Sequence, residues 1–205
     1  MPRATVCRTG TDGIPPTSAA IGRRLRAHGL AGKLAVADPE NSAYFPGWAT
    51  GAPDYATGMP SRIEGVGRPR MEPAFDASVV DLVIPVPDAA GVAAMRHLHA
   101  VTGISAGPSS GSCLWGAFHV LDRMRREGGE GPVVMVVGDG GDAYRDTYYD
   151  DAWVEAQGWR LDGPLPAVGQ GRGRGPRRGQ ARSEGSTRGT SPVRAATRSS
   201  VRGRP

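Results

Sequence analysis

The sequence predicts an α/β protein: three layers, with a mainly parallel sheet carrying helices on both faces. Three observations predict it. Apolar runs of strand length recur at KLAVAD (33–38), DLVIPV (81–86) and GPVVMVVGD (131–139). Segments with apolar residues at three- to four-residue spacing lie between them, and Gly or Pro marks most junctions. The runs do not alternate with polar residues, as expected of strands covered on both faces.

Taken in chain order, Thr17 or Ser18 is placed to cap a helix through AAIGRRLRAH, with Gly29 as its stop signal. KLAVAD, closed by Pro39, reads as a buried strand. Residues 39–80 are rich in Pro, Gly and aromatic residues and read as a long irregular segment. In DLVIPV, Pro85 marks either the strand's end or a sheet edge, because proline cannot donate to a ladder. Asp88 reads as the cap of AAGVAAMRHLHAVT, whose Val92, Met95, Leu98 and Val101 form one face and whose stop is Gly103. A further helix is predicted from Ser112 to Glu127, apolar at Leu114, Trp115, Phe118 and Leu121. Its basic end, with Arg123, Arg125 and Arg126, complements the helix dipole. The run 133–137 is the clearest strand, and a last helix is predicted over much of 145–157. Ligands of parallel sheets bind beyond the carboxyl ends of strands. GDGGDAY (138–144) follows such an end and is therefore a candidate ligand loop; its plainer reading is a tight turn needing glycine at positive φ.

Charge divides the chain. Residues 163–205 hold ten arginines and one glutamate, so the +5 of all 205 residues leaves about −4 on residues 1–162. The tail has few large apolar residues and no periodicity, which predicts disorder. Its arginines would attract an acidic partner, but no aromatic residue interleaves them to stack bases, so nucleic acid is disfavoured. An out-of-frame, GC-rich extension explains the same composition. Two cysteines, Cys7 and Cys113, give neither a disulfide framework nor a metal-ligand spacing. His97 and His99, two apart on one predicted helix, face different ways and make no metal pair. With no apolar run of membrane length and no signal-peptide core in MPRATVCRTG, the expectation is a soluble cytoplasmic protein.

Four blocks then occur in order: VADPENSAYFP (36–46), SRIEGVGRPRMEP (61–73), GISAGPSSGSCLWGAF (103–118) and VVMVVGDGGDAYRDTYYDDAWV (133–154). Together they resemble the C-terminal half of cysteine synthase-like enzymes, the fold-type II pyridoxal-phosphate family that also includes cystathionine β-synthase and cysteine desulfhydrases. The resemblance implies an incomplete large domain of that fold over residues 17–162, preceded by a divergent phosphate-loop remnant in 1–16 and followed by the basic tail. The implied cofactor is pyridoxal 5'-phosphate. The implied chemistry is β-elimination or β-replacement on cysteine or O-acetylserine, with an amino acid as the small-molecule substrate. The tyrosine-rich TYYDDAWV ending leans toward the desulfhydrase branch.

The family holds the cofactor phosphate in a Gly-Thr-Gly-Gly-Thr turn before a helix. Here Gly10, Thr11 and Gly13 resemble that turn and Thr17 its last threonine, with Asp12 in a glycine position and Ile14-Pro15-Pro16 inserted. A carboxylate repels a phosphate, and two prolines remove N–H donors, so the cradle reads as damaged. Gly140 stands where the family commonly places a serine against the pyridine nitrogen; water or Asp139 could take over that contact. Glu64-Gly65-Val66-Gly67 resembles a loop on the substrate side of the pocket. Ser109, Ser110 and Ser112 resemble the helix entrance near the cofactor, although helix capping explains them more simply. The family's Schiff-base lysine belongs to the N-terminal half, and the one lysine here, Lys33, matches no catalytic position.

No catalytic residue is therefore assigned, and the chain alone is expected to be inactive. Two other readings stay open: a binding or regulatory piece that pairs with a full-length paralogue, and the product of a frameshifted gene. The family would make a homodimer.

Overall fold

The computed structural model describes residues 5–9 and 15–163. The expectations for Gly10, Thr11, Gly13 and the basic tail lie outside the described residues. Four parallel strands, β1 (Thr5–Thr9), β2 (Lys33–Pro39), β3 (Leu82–Val86) and β4 (Val133–Met135), form one sheet in the order β3-β2-β1-β4. Register is continuous, with Val6 opposite Leu34 and Val134, and Ala37 opposite Ile84.

The pleat of β2 explains the three layers. Leu34 and Val36 point to one face, where they pack with Trp48, Val80 and Val83 beneath Ile21 and Leu25 of helix α1 (Pro15–Ala27). Ala35 and Ala37 point to the other, packing with Ile84, Val86, Trp115, Ala117 and Val120. Trp115, Ala117 and Val120 belong to helix α4 (Pro108–Arg126), which lies against α3 (Asp88–Thr102). The α3–α4 crossing is close: a Cβ on Gly111 would collide with the Gly91 carbonyl and meet Met95 Cβ at 2.6 Å. A third cluster joins the outer side of α3 to the chain that follows β4, through Val92, Met95, Ile63, Val66, Tyr144, Tyr148, Val154 and Trp159.

Several local expectations change. β1 was not read from the sequence, yet it lies between β2 and β4. α1 begins at Pro15, two residues before the expected caps, with both prolines in the first turn where their missing N–H groups break no helical bond. Residues 39–80 contain a helix, α2 (Tyr44–Thr50), and a 3₁₀ turn at Ala77–Val79. α4 starts at Pro108 rather than Ser112, so its serines lie inside the first turns and cap nothing. Asp88 opens α3 without capping it. The last predicted helix shortens to α5 (Asp151–Ala156), after a 3₁₀ turn at Asp142–Tyr144. β4 is three residues long and lies at an edge, with Val134 and Val137 50% and 48% exposed, so the run that looked most like a buried strand is half uncovered. Pro85, as expected, lies on an edge strand. No helix among the described residues is long and apolar enough to cross a membrane.

Candidate functional site

Topology selects one end of the sheet. From β1 the chain crosses to β2 by way of α1 on one face, whereas β3 crosses to β4 by way of α3 and α4 on the other. Adjacent strands β1 and β4 thus flank the place where the winding changes direction, and a crevice opens there beyond their carboxyl ends. The amino end of α4 and the loop 138–144 meet at that end. Ser110 Oγ accepts from Gly138 N at 3.1 Å, Gly107 N donates to the Asp139 carbonyl at 3.1 Å, and Gly141 N donates to the Ser105 carbonyl at 3.2 Å. Ser109, Ser110 and Ser112 are all buried.

Asp139 is an acidic side chain tied into this junction. Its Oδ2 accepts from Tyr144 Oη at 2.5 Å, and a Cβ on Gly107 would collide with its Oδ1. Burial and the Asp139 carboxylate both push the Tyr144 phenol up, which keeps it protonated as the donor. Tyr149 Oη accepts from Ala106 N at 3.2 Å and donates to the Ala106 carbonyl at 2.9 Å, closing the loop from outside. The glycines of 138–144 do not use positive φ. Gly141 is required by space instead, since a Cβ there would collide with Ser105 Oγ and crowd Tyr149. Gly140 bridges to Ala106, and nothing lies within 4 Å of where its Cβ would be.

A second group of polar side chains lies at the carboxyl ends of β2 and β3, and sequence reasoning named none of it as functional. Asp38 is 2% exposed, and its Oδ2 accepts from Phe45 N at 2.7 Å, fixing the first turn of α2. Burial pushes its carboxyl up to about 7, against the pull of Ser42 and Phe45. Asp88, also buried, accepts from Glu40 N at 3.2 Å and Arg62 Nε at 3.2 Å. The signal that could have found Asp38 is a carboxylate ending an apolar strand a few residues before a helix start.

These positions permit a test of the residues against the implied cofactor. Lys33, whose ammonium makes no hydrogen bond or ion pair among the described residues, opens β2 at the amino end of the sheet. Five residues of strand, roughly 16 Å, separate it from Asp38 at the opposite end. It therefore stands at the wrong end of the sheet from the crevice. Pro15 and Pro16 deprive the start of α1 of two amides, leaving Thr17 N as the first one present in the helix. Gly140 offers no side chain to a ring nitrogen. The described residues do not complete a covalently held pyridoxal-phosphate site. His97 and His99 point to different aromatic neighbours, Phe118 and Tyr149, and no cluster of metal-ligating side chains occurs among the described residues.

Comparison with known proteins agrees with this architecture. The chain is 50% identical over 167 residues to L-cysteine desulfhydrase Cds1 of Mycobacterium tuberculosis, covering 82% of this chain and 45% of that protein. It is 31% identical over 134 residues to N-(2-amino-2-carboxyethyl)-L-glutamate synthase of Cupriavidus metallidurans, covering 65% of this chain and 37% of that one. The fold resembles the crystal structure of O-ureido-L-serine synthase at a TM-score of 0.55, with 24% identity over 76% of this chain and 47% of that one. The chain thus spans less than half the length of these relatives. The family model described as "Pyridoxal-phosphate dependent enzyme" matches residues 1–139. The chain belongs to the pyridoxal-phosphate dependent enzymes, whose cofactor is pyridoxal 5'-phosphate.

Proposed function

We propose that this chain supplies part of the strand-end floor of a lyase or transferase of sulfur amino-acid metabolism, and that it does not run the chemistry by itself. By lineage that chemistry is β-elimination or β-replacement on cysteine or O-acetylserine. The identity to a protein named L-cysteine desulfhydrase favours elimination. Within this reading Gly10, Thr11, Gly13 and Thr17 belong to the phosphate turn, and Gly140 lies beside the ring nitrogen. Asp139, held by Tyr144, is the side chain that this end of the sheet offers in place of a serine.

One observation carries the claim of inactivity: the sole lysine opens β2 at the end of the sheet opposite the crevice. Pyridoxal phosphate acts as an electron sink once a lysine has anchored it beside the substrate, and no lysine of this chain lies there. The purified 205-residue chain, given pyridoxal phosphate and cysteine, should release no sulfide above the cofactor alone. Sulfide release that scales with the protein would overturn the reading.

Half-exposed Val134 on the edge strand β4, with half-exposed Val137 just after it, favours a second reading, in which the chain pairs with a full-length relative. Co-purification with such a relative supports it; a well-folded monomer that ignores the relative counts against it.

A further inference from the structure

A cavity of about 210 Å³ lies between the end of α2 and the segment 71–77. Trp48, Pro53, Met71, Pro73 and Phe75 give it apolar walls, and among the described residues Glu72 is the only charged one that lines it. The walls are held in place by backbone and packing. Met71 N donates to the Tyr55 carbonyl at 2.8 Å, and Phe75 N donates to the Glu72 carbonyl at 2.9 Å. The Phe75 ring is backed by Tyr44, stacked at 4.7 Å between centroids and 12° between planes. Gly47 lets Met71 lie close on α2, since a Cβ there would come within 2.5 Å of its Sδ. Glu72 Oε1 accepts from Arg70 Nε at 3.3 Å, but the Arg70 side chain is 72% exposed and lines no part of the cavity, so this pair is weak. Tyr44 and Trp48 lie four residues apart on α2 and so share a helix face. Both are buried, and neither Tyr44 Oη nor Trp48 Nε1 has a partner among the described residues.

We infer that this cavity is a binding site for a small methylated ammonium compound carrying an oxygen, taken up as a free solute. Charge selects a cation, because the one ionic wall residue is a carboxylate. The Trp48 and Phe75 rings and the Met71 thioether select the same sign, since aromatic faces and polarizable sulfur attract a cation. Hydrogen-bonding capacity then selects methylation. A primary ammonium brings three donors, and beyond Glu72 these walls are ring, proline and thioether surface that cannot accept them. A methylated nitrogen brings none and keeps its charge. An oxygen on the ligand would give the unpartnered Trp48 N–H an acceptor. The volume exceeds the roughly 150 Å³ that holds a benzene molecule, so a compound the size of choline fits whole. None of these residues belongs to the crevice at 138–144, and the inference does not depend on the functional reading above.

Heteronuclear amide and indole spectra of the full chain, recorded with choline chloride against sodium chloride at equal ionic strength, test the site. Choline should move the Trp48 indole signal and the Met71 and Phe75 amides along one saturating curve. The neutral alcohol with carbon in place of the choline nitrogen is cheaper to desolvate and wins in a merely apolar hole. Here choline should bind about fivefold tighter than that alcohol, and ethanolamine, a primary ammonium, should bind more weakly than choline. Glu72→Gln should weaken choline about threefold and leave the alcohol unchanged. Phe75→Leu, which keeps apolar bulk but removes the ring face, should act in the same direction. Equal binding of choline and the alcohol, tighter binding of ethanolamine, or shifts that miss the cavity or never saturate would overturn the proposal. Phosphatidylcholine vesicles present the same group on a surface and should leave the cavity signals as they are. Loss of those signals on vesicles would assign the ammonium to a lipid and overturn the free-solute site. Should Phe75→Leu fail to fold, Glu72→Gln decides, because its side chain is part exposed and paired only to an exposed arginine: an unchanged choline affinity there refutes the site.

Discussion

Asp38 offers the most direct reading of how burial shapes this fold. Replacing it with asparagine keeps an oxygen that can accept from Phe45 N and removes the titration. In the native chain its carboxyl titrates near 7, and in the unfolded chain near the ordinary value of 3.8. Between those values the native state holds a proton that the unfolded state has released, so its contribution is complete below the unfolded value and is lost as pH rises through the native one. The slope is about 1.4 kcal/mol per pH unit in mid-window and flattens as pH reaches the native value, so passing from pH 5 to pH 7 costs about 2 kcal/mol. Urea unfolding followed by far-UV circular dichroism at pH 5, 6 and 7 gives the stability of both proteins by linear extrapolation. The wild type should lose about 2 kcal/mol more than Asp38→Asn across that range, most of it as a lower midpoint. Other titrating groups, Asp88 among them, move both proteins alike and drop out of the difference. Parallel pH profiles for the two proteins would refute the reasoning, because they would mean that Asp38 is ionised throughout and that α2 does not enclose it.

Two further substitutions probe the crevice and its support. Gly111→Ala drives a methyl into the Gly91 carbonyl and Met95. It should cost about 1–3 kcal/mol through overpacking of α3 on α4, read as a lower melting temperature; an unchanged melting temperature would contradict the close crossing. Gly140→Ser enters open space without a positive-φ penalty. Its stability should stay within about 0.5 kcal/mol of wild type, and a larger loss in urea unfolding would mean the strand-end loop is closed where it is described as open.

Much of the architecture was legible because burial on both faces leaves a plain mark. The unbroken run Leu34–Ala37 and the proline inside Leu82–Val86 announce a central strand and an edge strand. What was not legible depends on partners distant in sequence. β1, TVCRT, has too little apolar character to stand out, and it becomes a strand because β2 and β4 offer it ladders on both sides. α2 contains Pro46 and is only seven residues long; its first turn is secured by the Asp38 carboxylate. The serines of α4 resembled caps, but Pro108 moves the helix start upstream and turns Ser110 toward Gly138. The site was legible where it lies on a strand end, as with 138–144. The cluster of Asp38, Asp88, Glu40 and Arg62 was not, since its members come together only when β2, α3 and the 61–67 loop pack.

The central claim is that the lysine of this chain stands at the wrong end of the sheet to hold pyridoxal phosphate. Incubating the folded chain with the cofactor, reducing with borohydride and mapping the attached group by mass spectrometry tests that claim directly. The account predicts labelling of Lys33 no greater in the folded chain than in the urea-unfolded one. Stoichiometric labelling of Lys33 that requires the folded chain would contradict it.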